Sequence, residues 1–340
     1  MWEVIGQAKA VSLLKHSLEI GGLSHAYLFV GPQRIGKMTL ALNLAQALNC
    51  KEDAKPCLKC DSCKKIAAGT HSDVQVIGLD YNEDEDTERK LIRNEQIDGL
   101  LHDASLPPFE GSYKVFIIDG AELLSIGAAN RLLKTLEEPE AKVVFILLTT
   151  NENRLLKTVV SRCQHIELQP MPLAEEAQAL VEKKKVNPEQ ARLLAGLSHG
   201  CIGWAITAAD DQKILEKRNE ELDQIITMIR GDYEERFTYV GKLAAGFSQN
   251  RRLVYDVLDR WLDYWRDLML IKLDCPDMIT NSDRKEALIK MAGGYSLARI
   301  RDYISSIESA AMQLKRNVNA RLALEILMLD LPREEANIPG

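Results

Sequence analysis

The chain has 340 residues, length for about two or three domains. Hydrophobic residues make up 46% and aromatics only 6%, mostly Leu, Ile, Val and Ala among the apolar types, which favours helices around a buried sheet over a β-sandwich. A formal net charge of −7 argues against strong DNA binding by the chain alone, because neutralising phosphates needs a basic surface, so any DNA role is expected to be shared with partners.

Glu3, Lys9 and Lys15 interrupt any signal-peptide pattern at the N-terminus. The longest apolar runs, such as Val143 to Leu148, are far too short to cross a membrane, and a soluble cytoplasmic protein is expected. Four of the seven cysteines lie between Cys50 and Cys63, and Cys163, Cys201 and Cys275 are scattered. An odd total of this kind argues against a disulfide framework.

Up to about residue 168, strand and helix signals alternate. Ala8 to Ile20 carries Val11, Leu14 and Leu18 at helical spacing, and Ala26 to Val30 is a short apolar strand. Directly after it comes Gly31-Pro32-Gln33-Arg34-Ile35-Gly36-Lys37-Met38-Thr39, followed by a helical stretch from Thr39 to Leu48. A G-x-x-x-x-G-K loop between strand and helix is a phosphate cradle: backbone N–H groups and the helix N-terminus face the anion while the lysine neutralises it. A working site places a Ser or Thr hydroxyl after the lysine as a Mg²⁺ ligand. Met38 stands there, and Thr39 is turned by about 100° around the helix. A retained fold with weakened nucleotide chemistry is expected, with Gly31, Gly36, Lys37, Thr39 and Asp119 as the degenerate nucleotide-binding set.

Cys50, Cys57, Cys60 and Cys63 follow with spacing C-x6-C-x2-C-x2-C. Two overlapping C-x-x-C steps and a fourth thiol suit a closed tetrahedral Zn²⁺ site, and four protein ligands imply structure rather than catalysis. An iron–sulfur cluster is the chemical rival. Lys51, Lys55, Lys59 and Lys64 can offset the net charge of about −2 on such a centre.

Val74 to Gly78 is a candidate strand and the acidic stretch Asn82 to Lys90 a solvated loop. Lys114 to Ile118 and Val143 to Leu148 are continuous apolar runs of buried parallel strands, and Ser125 to Glu138 is a helix with a Ser125 cap and a Pro139 stop. The first run ends in Asp119, the place of a Mg²⁺-holding carboxylate in P-loop proteins. Gly120 follows where AAA+ ATPases carry a catalytic Glu; Glu122 is near but off that position. The alternation implies a doubly wound α/β domain. Gln169 to Pro172 is a boundary, beyond which Leu173 to Ala209 reads as a small helical unit and Gln212 to Leu331 as longer helices, among them the apolar row Leu253, Val257, Leu258, Trp261, Leu262 and Trp265. That row is expected to be core rather than a docking stripe.

Zinc-type cysteines inside a P-loop domain, together with Ser161-Arg162-Cys163, resemble the bacterial DNA polymerase III clamp-loader family. So do Asn130 to Pro139, His25 to Pro32 and Val4-Ile5-Gly6-Gln7, the last matching the family's segment beside the adenine pocket. The resemblance is close over the first 168 residues and architectural beyond them. It implies an AAA+ domain at 1–168 with a zinc module at about 50–65, a helical lid at 169–211, an all-α collar at 212–334 and a tail at 335–340. It further implies that Arg162 is an arginine finger acting in trans, positioned by Ser161 and Cys163. The family's lid arginine falls at Gly203, in Gly200-Cys201-Ile202-Gly203, and its strand-end sensor at Thr149 or Thr150.

With Met38, Gly120 and Gly203 departing from a working ATPase and Arg162 kept, the resemblance implies a non-hydrolysing stator. Its partners would be gamma/tau and delta subunits, and through them a sliding clamp and primed DNA, with ATP/Mg²⁺ doubtful as its own cofactor. The alternatives are an ATP-hydrolysing gamma/tau-type subunit, another AAA+ DNA-remodelling motor, or a zinc-bearing scaffold without a nucleotide role.

Overall fold

The computed structural model describes residues 2–79, 91–247 and 250–333, so the acidic stretch 82–90 and the tail beyond Arg333 lie outside the described residues. Packing divides the chain into two units, one running to Ala179 and including His199–Trp204, the other made of Leu180–Ser198 and the chain from Ala205 on.

The first unit is built on five parallel strands: β1 (Ala26–Val30), β2 (Val74–Ile77), β3 (Lys114–Asp119), β4 (Val143–Thr149) and β5 (Gln164–Glu167), in the order β2-β3-β4-β1-β5. Successive side chains on a strand point to opposite faces. Tyr27 and Phe29 therefore join Val115, Ile117, Ile146 and Leu148 in one core, while Leu28 joins Phe116, Ile118, Phe145 and Leu147 in the other. The first core is closed by α1 (Ala8–Glu19), α2 (Lys37–Asn49) and α3 (Asp61–Ala67), the second by α4 (Asn94–Ala104), α5 (Ile126–Glu137) and α6 (Lys157–Val160). Strands covered on both sides need apolar residues at every position, which explains the uninterrupted runs in β3 and β4.

The expected strands and the Ser125 cap are present, with Ser125 Oγ accepting from Ala128 N at 3.1 Å. Among the described residues, helices α3, α4 and α6 and the edge strand β5 had not been read from the sequence.

Buried Asp73 ties the loop before β3 to the start of β2. Its carboxylate accepts from Phe109 N (2.7 Å), Glu110 N (2.8 Å) and Gly111 N (2.7 Å). Burial works to raise its pKa, but the three amides outweigh that and hold it below the usual aspartate value.

The second unit contains α8 (Pro188–Ser198), α10 (Gln212–Arg230), α11 (Tyr233–Phe247), α12 (Arg251–Lys272), α13 (Lys285–Gly293), α14 (Leu297–Lys315) and α15 (Ala320–Leu329), while α7 (Leu173–Lys184) and α9 (Ile202–Asp210) cross the division. Helix α12 packs against α11, α13 and α14. Val257, Leu258, Trp261 and Trp265 of its apolar row are buried, with the Trp265 and Tyr303 rings 4.6 Å apart; Leu253 is the exposed member. Fully buried Asp267 accepts from Thr280 N (2.7 Å) and Asn281 N (2.8 Å), and Arg236 donates to the last carbonyls of α10 at Met228 (3.0 Å) and Ile229 (2.9 Å). The arginine's bonds satisfy carbonyls that a helix end leaves open, and the aspartate's satisfy loop amides. Among the described residues, no helix is long and apolar enough to cross a membrane.

Asp73→Ala should cost about 2–3 kcal/mol at neutral pH by stripping three amides of their acceptor. Because the folded pKa is depressed, this contribution is complete above the unfolded aspartate value of about 3.9 and is lost as pH falls through the lower folded value. Denaturant titrations of both proteins at pH 7 and in acid should show the stability gap closing on acidification.

Candidate functional site

At the carboxyl ends of β1, β3 and β4 a pocket of about 580 Å³ is lined by Arg34, Gly36, Lys37, Thr39, Asp119 and Glu122, with Thr149, Thr150 and Gly203. Gly36 caps α2 at φ 109°, backbone that side-chain-bearing residues rarely adopt, and lets the helix start at Lys37. The buried Lys37 ammonium donates to Gly31 O and Pro32 O, both at 2.7 Å, so the lysine fastens its own loop. Burial pushes its pKa down, against the pull of Asp119 and Glu122.

Gly31 thus backs the pocket through its carbonyl, while Gly36, Lys37, Thr39 and Asp119 line it. Met38 also borders the pocket but packs partly into the core, whereas Thr39 is exposed. Asp119 sits at the end of β3, its carboxyl raised by the surrounding walls and lowered in part by Lys37. Glu122 is tied to the end of β4, accepting from Thr150 Oγ1 at 2.6 Å and Thr150 N at 3.2 Å. Burial opposes its ionisation, yet the threonine bonds keep its pKa below normal.

Gly203 closes on the phosphate loop. Its N–H donates to Arg34 O at 2.9 Å, and a Cβ at this position would lie 2.4 Å from that same oxygen. Any side chain there, arginine included, would push the loop aside. This close approach was invisible in the sequence, where Gly203 registered only as a missing arginine. Gln7 holds the strap that leads from β5 towards this segment, donating through Nε2 to Gln169 O (3.0 Å) and accepting at Oε1 from Gln169 N (3.3 Å).

The four clustered cysteines meet between the end of α2 and the start of α3. Their Sγ atoms all lie within 4.8 Å of one another, with Cys50–Cys60 at 4.0 Å and Cys57–Cys63 at 3.9 Å. Metal–sulfur bonds of about 2.3 Å in a tetrahedron put sulfurs roughly 3.8 Å apart, so the donor set fits one ion. The amides of Cys60 and Lys59 point at Cys57 Sγ and lower that thiol to about 6, while burial raises Cys63 to about 12. Coordination would hold all four as thiolates, so binding would release protons.

Arg162 lies apart from both sites, just before β5. Its Nη1 donates to Thr158 O (2.9 Å) and Ser161 Oγ (3.4 Å), and its Nη2 to Glu137 Oε1 at the end of α5. Cys163 beside it packs against the second core, and burial drives its thiol to about 12, a packing group rather than a reactive one. Glu137 had not been singled out in the sequence, although it lies within the family-like stretch Asn130 to Pro139.

A family model described as DNA polymerase III, delta subunit, matches residues 6–172, and another described as DNA polymerase III, delta subunit, C terminal, matches residues 212–333. The chain belongs to this family. It is 30% identical over 328 residues to DNA polymerase III subunit delta' of Bacillus subtilis, covering 96% of each chain. To subunit tau of the same organism it is 37% identical over 292 residues, 79% of this chain but only 50% of tau. Among solved structures, a DNA polymerase III gamma subunit-related protein of Thermotoga maritima aligns over 94% of this chain and 98% of its own, at 17% identity and a TM-score of 0.47.

Elemental analysis of protein purified without chelator should find one metal ion per chain. Cys63→Ser should lose the ion and lower the thermal midpoint, as a strong chelator should for the unaltered chain.

Proposed function

We propose that this chain works as a delta-prime-type clamp-loader subunit, a stator that does not hydrolyse ATP and lends Arg162 to the ATP site of a neighbouring subunit. The observation that carries this reading is topological. In a parallel sheet every strand runs the same way, so a residue that precedes a strand lies on the rim opposite one that follows a strand. Arg162 precedes β5, whose first residue Gln164 pairs with Tyr27 near the start of β1, whereas the phosphate loop leaves the far end of β1. Arg162 therefore lies on the rim opposite its own pocket, which supports a role towards a site outside the chain.

The pocket supports the same reading. Met38 offers no hydroxyl to Mg²⁺, Gly120 supplies no carboxylate for the attacking water, Glu122 is engaged by Thr150, and Gly203 leaves the lid without an arginine. These features argue against the gamma/tau-type alternative. In this reading Gly31, Gly36, Lys37, Thr39 and Asp119 form a vestigial nucleotide site.

The ion at Cys50, Cys57, Cys60 and Cys63 is zinc in a structural role. Residues 1–168 form the AAA+ domain, 169–211 the lid and 212–334 the collar that joins gamma/tau and delta subunits. The assembly acts in the bacterial cytoplasm to place a sliding clamp on primed DNA. An exposed apolar row on α15, Leu322, Ile326 and Leu329, favours an assembled state, because a contiguous exposed apolar patch is ordinarily covered by a partner.

The test is ATP hydrolysis by a reconstituted loader with clamp and primed DNA, the partners' other ATP sites silenced so that the site beside this chain is read. Fingers are worth roughly 10³–10⁵ in rate in GTPases, and Arg162→Ala should cost about a hundredfold here with assembly intact by size exclusion. The isolated chain should show no turnover. Unchanged hydrolysis in the Arg162→Ala loader would make the arginine structural and defeat the trans role.

A further inference from the structure

We propose that Glu137 is the positioning residue for Arg162, fixing the guanidinium in the orientation in which it meets the phosphates of the neighbouring subunit; this rests on the trans-finger reading above. An arginine on a short surface turn has several rotamers of similar energy, and a charge delivered to a transition state is effective only if its geometry is set beforehand. Here two edges of the guanidinium are taken by the chain's own acceptors. Nη1 is held from below by Thr158 O at 2.9 Å, and Nη2 is held from the side by Glu137 Oε1. Among the described residues Nε–H has no partner, which leaves a donor edge for an external anion.

The support under Glu137 is rigid. It is the last residue of α5, and the preceding carbonyl, Leu136 O, accepts from His25 Nε2 at 2.9 Å, which locks the helix end to the residue just before β1. Leu136 is 1% exposed and shares the second core with Val160 and Cys163, the residues that carry the Arg162 turn. Both ends of the Glu137–Arg162 pair thus grow from one packed base. Pro139 ends the helix two residues on, so the carboxylate stands where α5 stops rather than along an exposed helix face.

The pair is solvent-facing, with side-chain exposures of 33% for Arg162 and 50% for Glu137. Such a pair adds little to stability, so its effect belongs in the orientation of the arginine. Orientation in the transition state lowers kcat when lost and leaves the KM for ATP of the neighbouring subunit largely unchanged.

The experiment uses the full reconstituted loader with Glu137→Ala, Glu137→Gln, Arg162→Ala and the Glu137→Ala/Arg162→Ala double variant, each checked for assembly and for an unchanged thermal midpoint. Glu137→Ala should lower kcat at the adjoining site by about tenfold at constant KM, since small misplacements of a catalytic group cost up to about a hundredfold. Glu137→Gln, which keeps an oxygen acceptor, should recover most of the rate. The double variant should be no slower than Arg162→Ala alone.

Full activity of Glu137→Ala beside a slow Arg162→Ala would overturn the positioning role, as would losses that multiply in the double variant. A faster Glu137→Ala loader would make the carboxylate a restraint and overturn it too. If Arg162→Ala itself turns over normally, the finger reading fails and Glu137's role falls with it.

Discussion

The register of β1 between β4 and β5 organises the chemistry of the first unit. β1 is paired in parallel on both sides, Val30 standing opposite Thr149 and Glu167, and Ala26 opposite Phe145. Because the neighbours run the same way, the connections between them must cross the sheet, and each crossing returns the chain to the amino-terminal rim. The fold therefore has two chemically distinct rims. The carboxyl rim gathers the phosphate loop, Asp119, Glu122 and Thr150. The amino rim gathers His25, the end of α5 and the turn that carries Arg162. In the proposed reading, this separation keeps Arg162 away from the chain's own pocket and on the rim open to a neighbour.

On the carboxyl rim the phosphate loop is turned upon itself. A phosphate-binding lysine works by offering its charge to the anion, yet Lys37 spends two donors on Gly31 O and Pro32 O inside the loop, and Gly203 N–H takes Arg34 O. Charge-assisted bonds of this kind are the stronger class. A nucleotide would have to compete for Lys37 with these internal bonds while receiving no hydroxyl from position 38 and no arginine from position 203. The pocket keeps its shape because the strands and α2 impose it, and shape alone does not restore the absent groups.

What was legible in the sequence follows from how locally each feature is determined. β3 and β4 are covered on both faces, so their apolar runs stand out, and the helix after Ser125 advertises its cap and its proline stop. The cysteine spacing is local as well. β5 escaped notice because it is an edge strand in which only Ile166 is buried, leaving no run of apolar residues. Helix α4 buries Ile97, Leu100 and Ala104 at helical spacing, but these sit directly after an acidic stretch and among polar residues. Gly203 against Arg34, and Glu137 against Arg162, are contacts between distant segments; composition can show an absent arginine or a pair of glutamates, but not that a carbonyl lies 2.4 Å from a missing Cβ or which acid meets the guanidinium.

The cysteine cluster bears on the pocket through α2, which begins at Lys37 and ends beside Cys50. Gln46 Nε2 donates to Cys63 O at 3.0 Å, and Asn49 Oδ1 accepts from Ser112 N (2.8 Å) and Tyr113 N (2.9 Å), so the far end of the helix is sewn both to the cysteine module and to the approach to β3. Four thiolates around a divalent ion leave an anionic centre next to the negative end of α2, an unfavourable placement on its own. Two features of the chain oppose it. The start of α3 presents its amides to the cluster, with Cys60 N–H donating to Cys57 Sγ at 3.2 Å, and Lys51, Lys55, Lys59 and Lys64 surround the module at exposed positions. A metal held this way closes the loop between α2 and α3 and fixes one end of the helix whose other end shapes the phosphate loop. In the proposed stator role that gives the module a use independent of hydrolysis: the pocket persists as a rigid carboxyl rim, and the same packed sheet presents Arg162 on the other.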